Sequence, residues 1–177
     1  MMKRLFYAVF CVFILASCGD GEAQVVLRDE IAQMEDSIST LTKNLESGEL
    51  LDKSVNLELV DLLYEYYRTH PDDAYAPECL DKIHMVYSAL GEYETSAKYA
   101  DTLLNNYPDY INRAMILESQ ASAYDIYILP RDTVKVRYYY DQLLKEFKDL
   151  PKDKVEGIKS RLDNLDLTIE EMIMQNN

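Results

Sequence analysis

The sequence predicts an all-α protein of about eight helices. Glycine and proline are scarce, with five of each among 177 residues. Between them the apolar residues recur at steps of three and four, which is the spacing of one helix face. No segment shows a convincing alternation of apolar and polar residues, the pattern typical of a half-buried strand. Fold class is therefore decided by periodicity and by the scarcity of helix breakers.

The N-terminal segment is predicted to be a secretory signal rather than part of the body. Lys3 and Arg4 precede an uncharged apolar run from Leu5 to Ala16, which is the order of charged and apolar regions in such signals. The run has 12 residues, whereas a helix that spans a bilayer needs roughly 20. A transmembrane anchor is therefore not expected here.

The residues Leu15-Ala16-Ser17-Cys18 resemble the lipobox of bacterial lipoprotein signals. The resemblance implies cleavage after residues 1–17 and attachment of lipid, with acyl chains such as palmitate, to the thiol of Cys18. An ordinary signal whose cleavage site lies beside a cysteine is the alternative. Residues 18–27 are then expected to be a lipid-anchored acidic tether, flexible at Gly19-Asp20-Gly21-Glu22. Its acids are similar to the surface-export signals of some Gram-negative lipoproteins, so we expect an outer-membrane protein that faces the periplasm or the cell surface.

Charge and cysteine content exclude several classes of function. The chain carries a formal net charge of −14, and loss of Lys3 and Arg4 with the signal would bring it near −16. Such a chain repels nucleic acid and anionic lipid surfaces, so no nucleic-acid partner is expected. Of three cysteines, the body keeps Cys79, which excludes an internal disulfide or a multi-cysteine metal site.

The helices of the body follow in order from these patterns. Each is bounded by a glycine, a proline or a polar turn, for example Ser47-Gly48, Gly91 and Pro151. The apolar periodicity spans residues 26–46, 55–69, 76–90, 97–104, 114–124, 136–147, 155–165 and 169–173. Asp132 or Thr133 is expected to cap the sixth helix.

A repeat predicts how these helices are arranged. His70-Pro71-Asp72-Asp73 and Tyr107-Pro108-Asp109-Tyr110 are offset by 37 residues. Such a period is typical of helix pairs stacked into a solenoid. The same offset relates two pairs of residues that we expect in the core. These pairs are Leu80 with Leu117, and Tyr87 with Tyr124.

Within one repeat, Tyr87, Gly91, Tyr93 and Pro108 resemble the tetratricopeptide (TPR) repeat, closest to small TPR lipoproteins of Gram-negative envelopes. The resemblance covers roughly residues 28–175 and is specific from His70 to Pro151. It implies a TPR-like right-handed α-solenoid over residues 28–177. His84 and Ser96 depart from the small residues that the family prefers, so looser helix packing is expected at those positions.

No constellation in the chain predicts catalysis. Asp81 and His84 lie one helical turn apart, but helical carboxylate metal sites need such a pair twice. Cys79 and His84 are separated by about 140° around a helix and cannot touch within it. No phosphate-binding glycine loop or nucleophile elbow is present. We therefore expect a protein that is not an enzyme, with no catalytic residue, metal or cofactor.

The face beside the core stripe of two successive repeats is the candidate partner-binding groove, and by the TPR resemblance it would line the concave surface. Its residues are Glu78, Asp81, Met85, Ser88, Met115, Glu118, Ser122 and Asp125. An acidic, methionine-dotted groove suits a basic or amphipathic segment of another envelope protein. A merely solvated face is the alternative.

Tyrosine is the other feature that the fold does not account for. Tyr138-Tyr139-Tyr140, and Tyr64 with Tyr66 and Tyr67, occupy more than one face of their helices, so they cannot all be core. They are either an interface or rings packed between helices. The leading function is a lipid-anchored, non-catalytic scaffold or adaptor for protein–protein interaction in an envelope complex. The alternative is a surface or periplasmic binding protein for a polymer or nutrient.

Overall fold

The computed structural model describes residues 19–46, 49 and 51–175, and all regular structure in this part of the chain is helical. The predicted all-α class is therefore confirmed. The helices are α1 (Gly19–Asn44), α2 (Lys53–Thr69), α3 (Ala76–Ala89), α4 (Tyr93–Asn106), α5 (Arg113–Ser122), α6 (Thr133–Glu146), α7 (Lys152–Asp163) and α8 (Ile169–Gln175), with a π-helical turn at Ala123–Tyr127. The predicted signal at 1–17, the lipid site at Cys18 and the helix end at Ser47-Gly48 lie outside the described residues.

Helix α1 begins at Gly19, so the residues 19–22 that were expected to be flexible are helical. Side chains that follow this segment in α1 contact residues distant in sequence. The amide of Gln24 donates to the hydroxyl of Tyr66 and to a carboxylate oxygen of Asp73, both at 2.8 Å. Arg28 lies 4.6 Å above the ring of Tyr75. Because these partners are more than 40 residues away, local composition could not indicate them.

The chain divides into two compact units, one ending at Cys79 and the other beginning at Leu80 within α3. In the first, α1 packs against α2. In the second, α5 packs against α4 and α6, and α6 also contacts α7. Most of the predicted core residues are buried, as expected from the apolar stripes. Leu80, Leu117 and Tyr124 are buried, whereas Tyr87 is half-buried and stacks on Tyr99 with 5.6 Å between ring centroids.

The sequence repeat is also a repeat of backbone conformation. Residues 70–76 and 107–113 connect their helices with the same hydrogen bonds, shifted by 37 residues. The matching pairs are His70 N to Tyr66 O and Tyr107 N to Leu103 O at 2.9 Å, Asp73 N to His70 O and Tyr110 N to Tyr107 O at 3.1 Å, and Ala76 N to Asp73 O and Arg113 N to Tyr110 O at 3.0 Å. Equal hydrogen bonds at equal spacing mean that the two connections fold alike.

The two departures from the repeat pattern bind each other. Ser96 donates its hydroxyl hydrogen to the carbonyl of His84 at 2.8 Å, and its Oγ lies 2.7 Å from His84 Nδ1. Both residues are buried. The expected looser packing is therefore replaced by a polar contact between α3 and α4. A pattern read one position at a time could not show that the two exceptions compensate.

The turn between α5 and α6 contains the predicted cap and an unpredicted element. Asp132 accepts hydrogen bonds from Val134 N and Lys135 N at 3.1 and 3.0 Å, so the cap is Asp132 rather than Thr133. The π-helical turn Ala123–Tyr127 precedes it and widens the end of α5. Such turns follow from packing and have no distinct periodicity that a sequence would reveal.

Candidate partner-binding face

The eight predicted groove residues occupy α3, α5 and the π-helical turn, but they differ widely in exposure. Met85 and Met115 are 61% and 62% exposed, and Glu78 is exposed on the part of α3 that belongs to the first unit. The three half-buried members are Ser88, Glu118 and Ser122. Asp81 and Asp125 are buried. The expected open groove is therefore corrected at two of its four acids.

Asp81 lies against the connection that leads into α5. Its Oδ2 accepts hydrogen bonds from the hydroxyl of Tyr110 and from the amide of Asn112, both at 3.0 Å. The two donors are 29 and 31 residues away in sequence. The periodicity of α3 alone placed Asp81 beside the core stripe, but the next helical pair covers it.

Asp125 is the centre of a buried ion cluster. Its carboxylate accepts from Arg131 Nε at 2.7 Å, and from Nε and Nη2 of Arg161 at 2.6 and 2.8 Å. Burial alone would raise the pKa of Asp125, but the hydrogen bonds and charges of the two guanidinium groups outweigh burial and lower it. Arg161 also donates to the carbonyls of Asn164 and Leu167. The cluster therefore fixes the chain that follows α7 against the π-helical turn.

Glu118, a third predicted acid of the groove, is paired with a base. One of its carboxylate oxygens lies 2.7 Å from the ammonium group of Lys154, on α7. Both side chains are about one third exposed, at 36% and 37%, so water screens part of this attraction. The strip expected to be negative thus carries two buried carboxylates and one neutralised carboxylate.

Three contacts between side chains join α3 to α5, α5 to α7, and the π-helical turn to α7. Ser119 Oγ lies 3.3 Å from His84 Nε2, which joins α5 to α3. Glu118 and Asp125 reach α7 through Lys154 and Arg161. We call the surface that α3, α5 and α7 form within the second unit the helix-A face. Met115 lies one turn before Ser119 on α5, and Met85 directly follows His84 on α3.

The histidine at this contact, His84, is a buried hydrogen-bonding group. Burial lowers the pKa of His84, although the carbonyl of Ser96 and the charge of Asp81 act in the opposite direction. Ser96 and Ser119 approach its two ring nitrogens. Asp81 is held by Tyr110 and Asn112 rather than by the imidazole. This arrangement fits a structural role for His84 in joining α3 to its neighbours.

The tyrosines divide between core and surface, as the helical geometry requires. Tyr66 and Tyr139 are buried at 0% and 5% exposure, whereas Tyr64 and Tyr138 are exposed. Tyr67 and Tyr140 are half-buried. The prediction that neither cluster can lie wholly in the core is confirmed. Both alternatives, packed rings and an open surface, therefore occur within each cluster.

Residues 19–46, 49 and 51–175 contain no group of side chains suited to bind a metal ion. No set of three or more histidine, cysteine, aspartate or glutamate side chains is arranged there to hold a metal ion. Cys79 is buried and forms no disulfide with the described residues. None of the helices in the described ranges has the length and apolar character needed to cross a membrane.

Comparisons with known proteins add no family to this description. No protein-family profile matches the chain, and no curated protein or solved structure is significantly similar to it.

Sequence reasoning missed the partners that decide the character of the site. Asp125 is bound by Arg131 and Arg161. Glu118 is bound by Lys154, and Asp81 by Tyr110. The one available signal was the spacing of about 36 residues between each acid on α5 or its extension and a base on α7, which is close to the period of the repeat.

Proposed function

We propose that the protein is a lipid-anchored helical-repeat scaffold that binds another protein of a Gram-negative envelope through the helix-A face. It is held to the membrane by lipid on Cys18, and its body is a TPR-like solenoid. The matched connections at 70–76 and 107–113, with the same backbone hydrogen bonds 37 residues apart, support a repeat architecture. The contacts of α5 with α3 and α7, and of the π-helical turn with α7, support a lateral array of helices within the second unit.

The observation that carries the proposal is a difference in exposure between the polar side chains and the methionines of this face. Asp81, Glu118, Asp125 and His84 are used in contacts with other elements of the fold, while Met85 and Met115 remain more than half exposed. Methionine is flexible and polarisable, so it adapts to apolar partners of varied shape. An exposed pair of methionines beside a rigid polar framework is suited to the apolar side of an amphipathic segment.

The partner is therefore amphipathic rather than selected by charge alone. Asp81 and Asp125 are buried and hydrogen-bonded, and Glu118 is paired with Lys154. These acids add little to the negative electrostatic potential at the surface of the face, although the chain as a whole is strongly acidic. Electrostatic attraction by the whole chain would raise the rate of encounter with a basic segment, and apolar contacts would hold it.

Acidic substitution of both methionines tests this function. Met85→Asp/Met115→Asp should reduce the yield of the co-purified partner several-fold, because each change places a charge in an apolar contact. The tagged lipoprotein is extracted from its native envelope in mild detergent, and partners are measured by quantitative mass spectrometry. Both positions are exposed, so the helical circular dichroism signal should be unchanged.

A matched control separates the face from general acidity. Val134→Asp/Ile173→Asp places the same two charges at positions that are 78% and 57% exposed, on α6 and α8. The control should recover the partner at the yield of the parent protein. Equal recovery by both double variants would refute the helix-A face as the binding surface. Reversal of Asp81 is unsuitable for this test because it would break buried hydrogen bonds.

The alternative function, binding of a polymer or nutrient, is favoured by one separate observation. A pocket between α4, α5 and α6 has several hydrogen-bonding side chains and an exposed tyrosine ring. None of the eight predicted groove residues lines it, so the two functions can be tested separately.

A further inference from the structure

We propose that the pocket between α4, α5 and α6 binds a single neutral sugar ring. The pocket has a volume of about 170 Å³, below the roughly 300 to 1,000 Å³ of sites for drug-sized ligands. It is lined by Asp101, Leu104, Asn105, Arg113, Leu117, Tyr138, Tyr139 and Gln142. This inference does not rest on the scaffold function, because the pocket uses a different set of residues.

One carboxylate in the pocket is fixed in place with an oxygen to spare. Asp101 Oδ1 accepts from the hydroxyl of Tyr139 at 2.5 Å and from Gln120 Nε2 at 2.7 Å. Asp101 Oδ2 makes no hydrogen bond to the described residues. Burial, together with the neighbouring Asp101 carboxylate, raises the pKa of Tyr139 well above its ordinary value. The hydrogen bond from Tyr139 holds Asp101 as an acceptor that is already oriented for hydroxyl groups.

The support beneath Asp101 is costly, as expected for a functional site rather than a purely structural one. Gln120 is fully buried, and its amide donates to Asp101 and to the carbonyl of Ala97. Its own Oε1 has no hydrogen-bond partner among the described residues. A buried acceptor without a partner costs free energy. Gln120 is thus oriented so that its amide nitrogen holds Asp101, while its own Oε1 is left without a hydrogen bond to the described residues.

The remaining polar groups are both donors and acceptors, and they are open. The side-chain amides of Asn105 and Gln142 make no hydrogen bond to the part of the chain that the structure describes, nor does the hydroxyl of Tyr138. An amide can donate to one hydroxyl and accept from its neighbour, which matches the adjacent hydroxyls of a sugar ring. Asp101 then accepts from a further hydroxyl.

An aromatic surface completes the pocket. The ring of Tyr138 is 56% exposed and is held edge-on against Tyr139, with 5.1 Å between centroids. Its open face is apolar, and a sugar ring presents C–H groups on its own faces. Tyrosine supplies such a surface with few rotatable bonds, so little conformational entropy is lost on binding.

The charges in and around the pocket disfavour an anionic ligand. The guanidinium of Arg113 is already bound by Glu146, through Nε at 2.6 Å and Nη2 at 3.1 Å, and by the carbonyl of Leu104. The pocket therefore contains the carboxylate of Asp101 and the guanidinium of Arg113, whose charge is already neutralised by Glu146. An anionic ligand would be repelled by that carboxylate and by the net charge of −14. A neutral polyhydroxylated ring uses all the open groups without that penalty.

Saturation-transfer NMR on the full chain in a detergent without sugar groups tests this assignment. The probes are the methyl glycosides of glucose, galactose, mannose and N-acetylglucosamine at millimolar concentration. Tetrahydropyran serves as a ring without hydroxyls, glucuronate as an acidic sugar, and N-acetyl-trialanine amide as a peptide. At least one neutral glycoside should receive saturation above the tetrahydropyran signal and more than glucuronate does.

Paired variants locate the binding. Tyr138→Ala/Asn105→Ala should lower transfer to that glycoside at least about fivefold, since loss of one hydrogen bond alone accounts for about that factor. Tyr64→Ala/Asn44→Ala, a tyrosine and an asparagine exposed on α2 and α1, should leave transfer unchanged. No glycoside signal above tetrahydropyran, a signal that survives in the pocket variant, preference for glucuronate, or binding of the peptide alone would each overturn the proposal.

Discussion

Replacing Asp125 by asparagine should destabilise the protein strongly. The carboxylate is 2% exposed, its partner Arg161 is 9% exposed, and Arg131 is 16% exposed. An asparagine side chain keeps one acceptor oxygen but turns an amide donor towards the two guanidinium groups, which would leave them buried without a counter-charge. Removal of one partner of a buried ion pair costs about 3 to 5 kcal/mol, a large part of the roughly 5 to 15 kcal/mol of a typical domain.

Urea denaturation followed by circular dichroism measures this change. With a urea dependence of about 2 kcal/mol per molar, the midpoint of Asp125→Asn should fall by about 2 M. The control is Asp141→Asn, an exposed acid on α6, which should change the free energy of unfolding by under about 0.5 kcal/mol. A loss of under about 1 kcal/mol in Asp125→Asn would refute the ion cluster as a major contribution to stability.

The pH dependence provides an independent check on the same residue. The pKa of Asp125 is lower in the folded protein than in the unfolded chain. The carboxylate therefore stabilises the fold fully above its unfolded pKa, and this contribution is lost as the pH falls through the folded pKa. The difference between the parent protein and Asp125→Asn should shrink towards acid. A difference that stays constant would contradict a charged Asp125 in the folded state.

Three further outcomes are expected from other parts of the chain. Leu80→Ala and Leu117→Ala should each cost about 2 to 5 kcal/mol in urea denaturation, since both side chains are fully buried; losses under about 1 kcal/mol would contradict their burial. The pKa of His84 is lower when folded, so stability should fall as the pH drops from the unfolded pKa towards the folded one. His84→Gln should flatten that slope, and an unchanged slope would exclude His84 as its source. Cys18→Ala should release the protein from the membrane fraction, and unchanged partitioning into detergent would refute the lipid anchor.

Helix positions were predictable because they depend on local periodicity. The spacing of Leu80 and Leu117, both now buried, and the capping chemistry of Asp132 are short-range signals. The repeated connections were also predictable, because matching sequences at 70–76 and 107–113 form matching backbone hydrogen bonds.

The character of the candidate face was less predictable because it depends on contacts between helices. Asp81 and Asp125 look like surface acids on their own helices, but donors 29 to 36 residues away bury them. Gln24, in the first part of α1, likewise hydrogen-bonds to Tyr66 and Asp73, more than 40 residues away. Such long-range pairs appear only when the chain is folded.

The most direct test of the scaffold function is site-specific photo-crosslinking in living cells. Benzoylphenylalanine is placed at Met115 on the helix-A face and, as the comparison, at Lys98, an exposed position on α4. Crosslinked products are identified by mass spectrometry after purification of the lipoprotein. The proposed function predicts one discrete envelope protein crosslinked at position 115 and not at position 98. No protein adduct at position 115, or the same adducts at both positions, would contradict it.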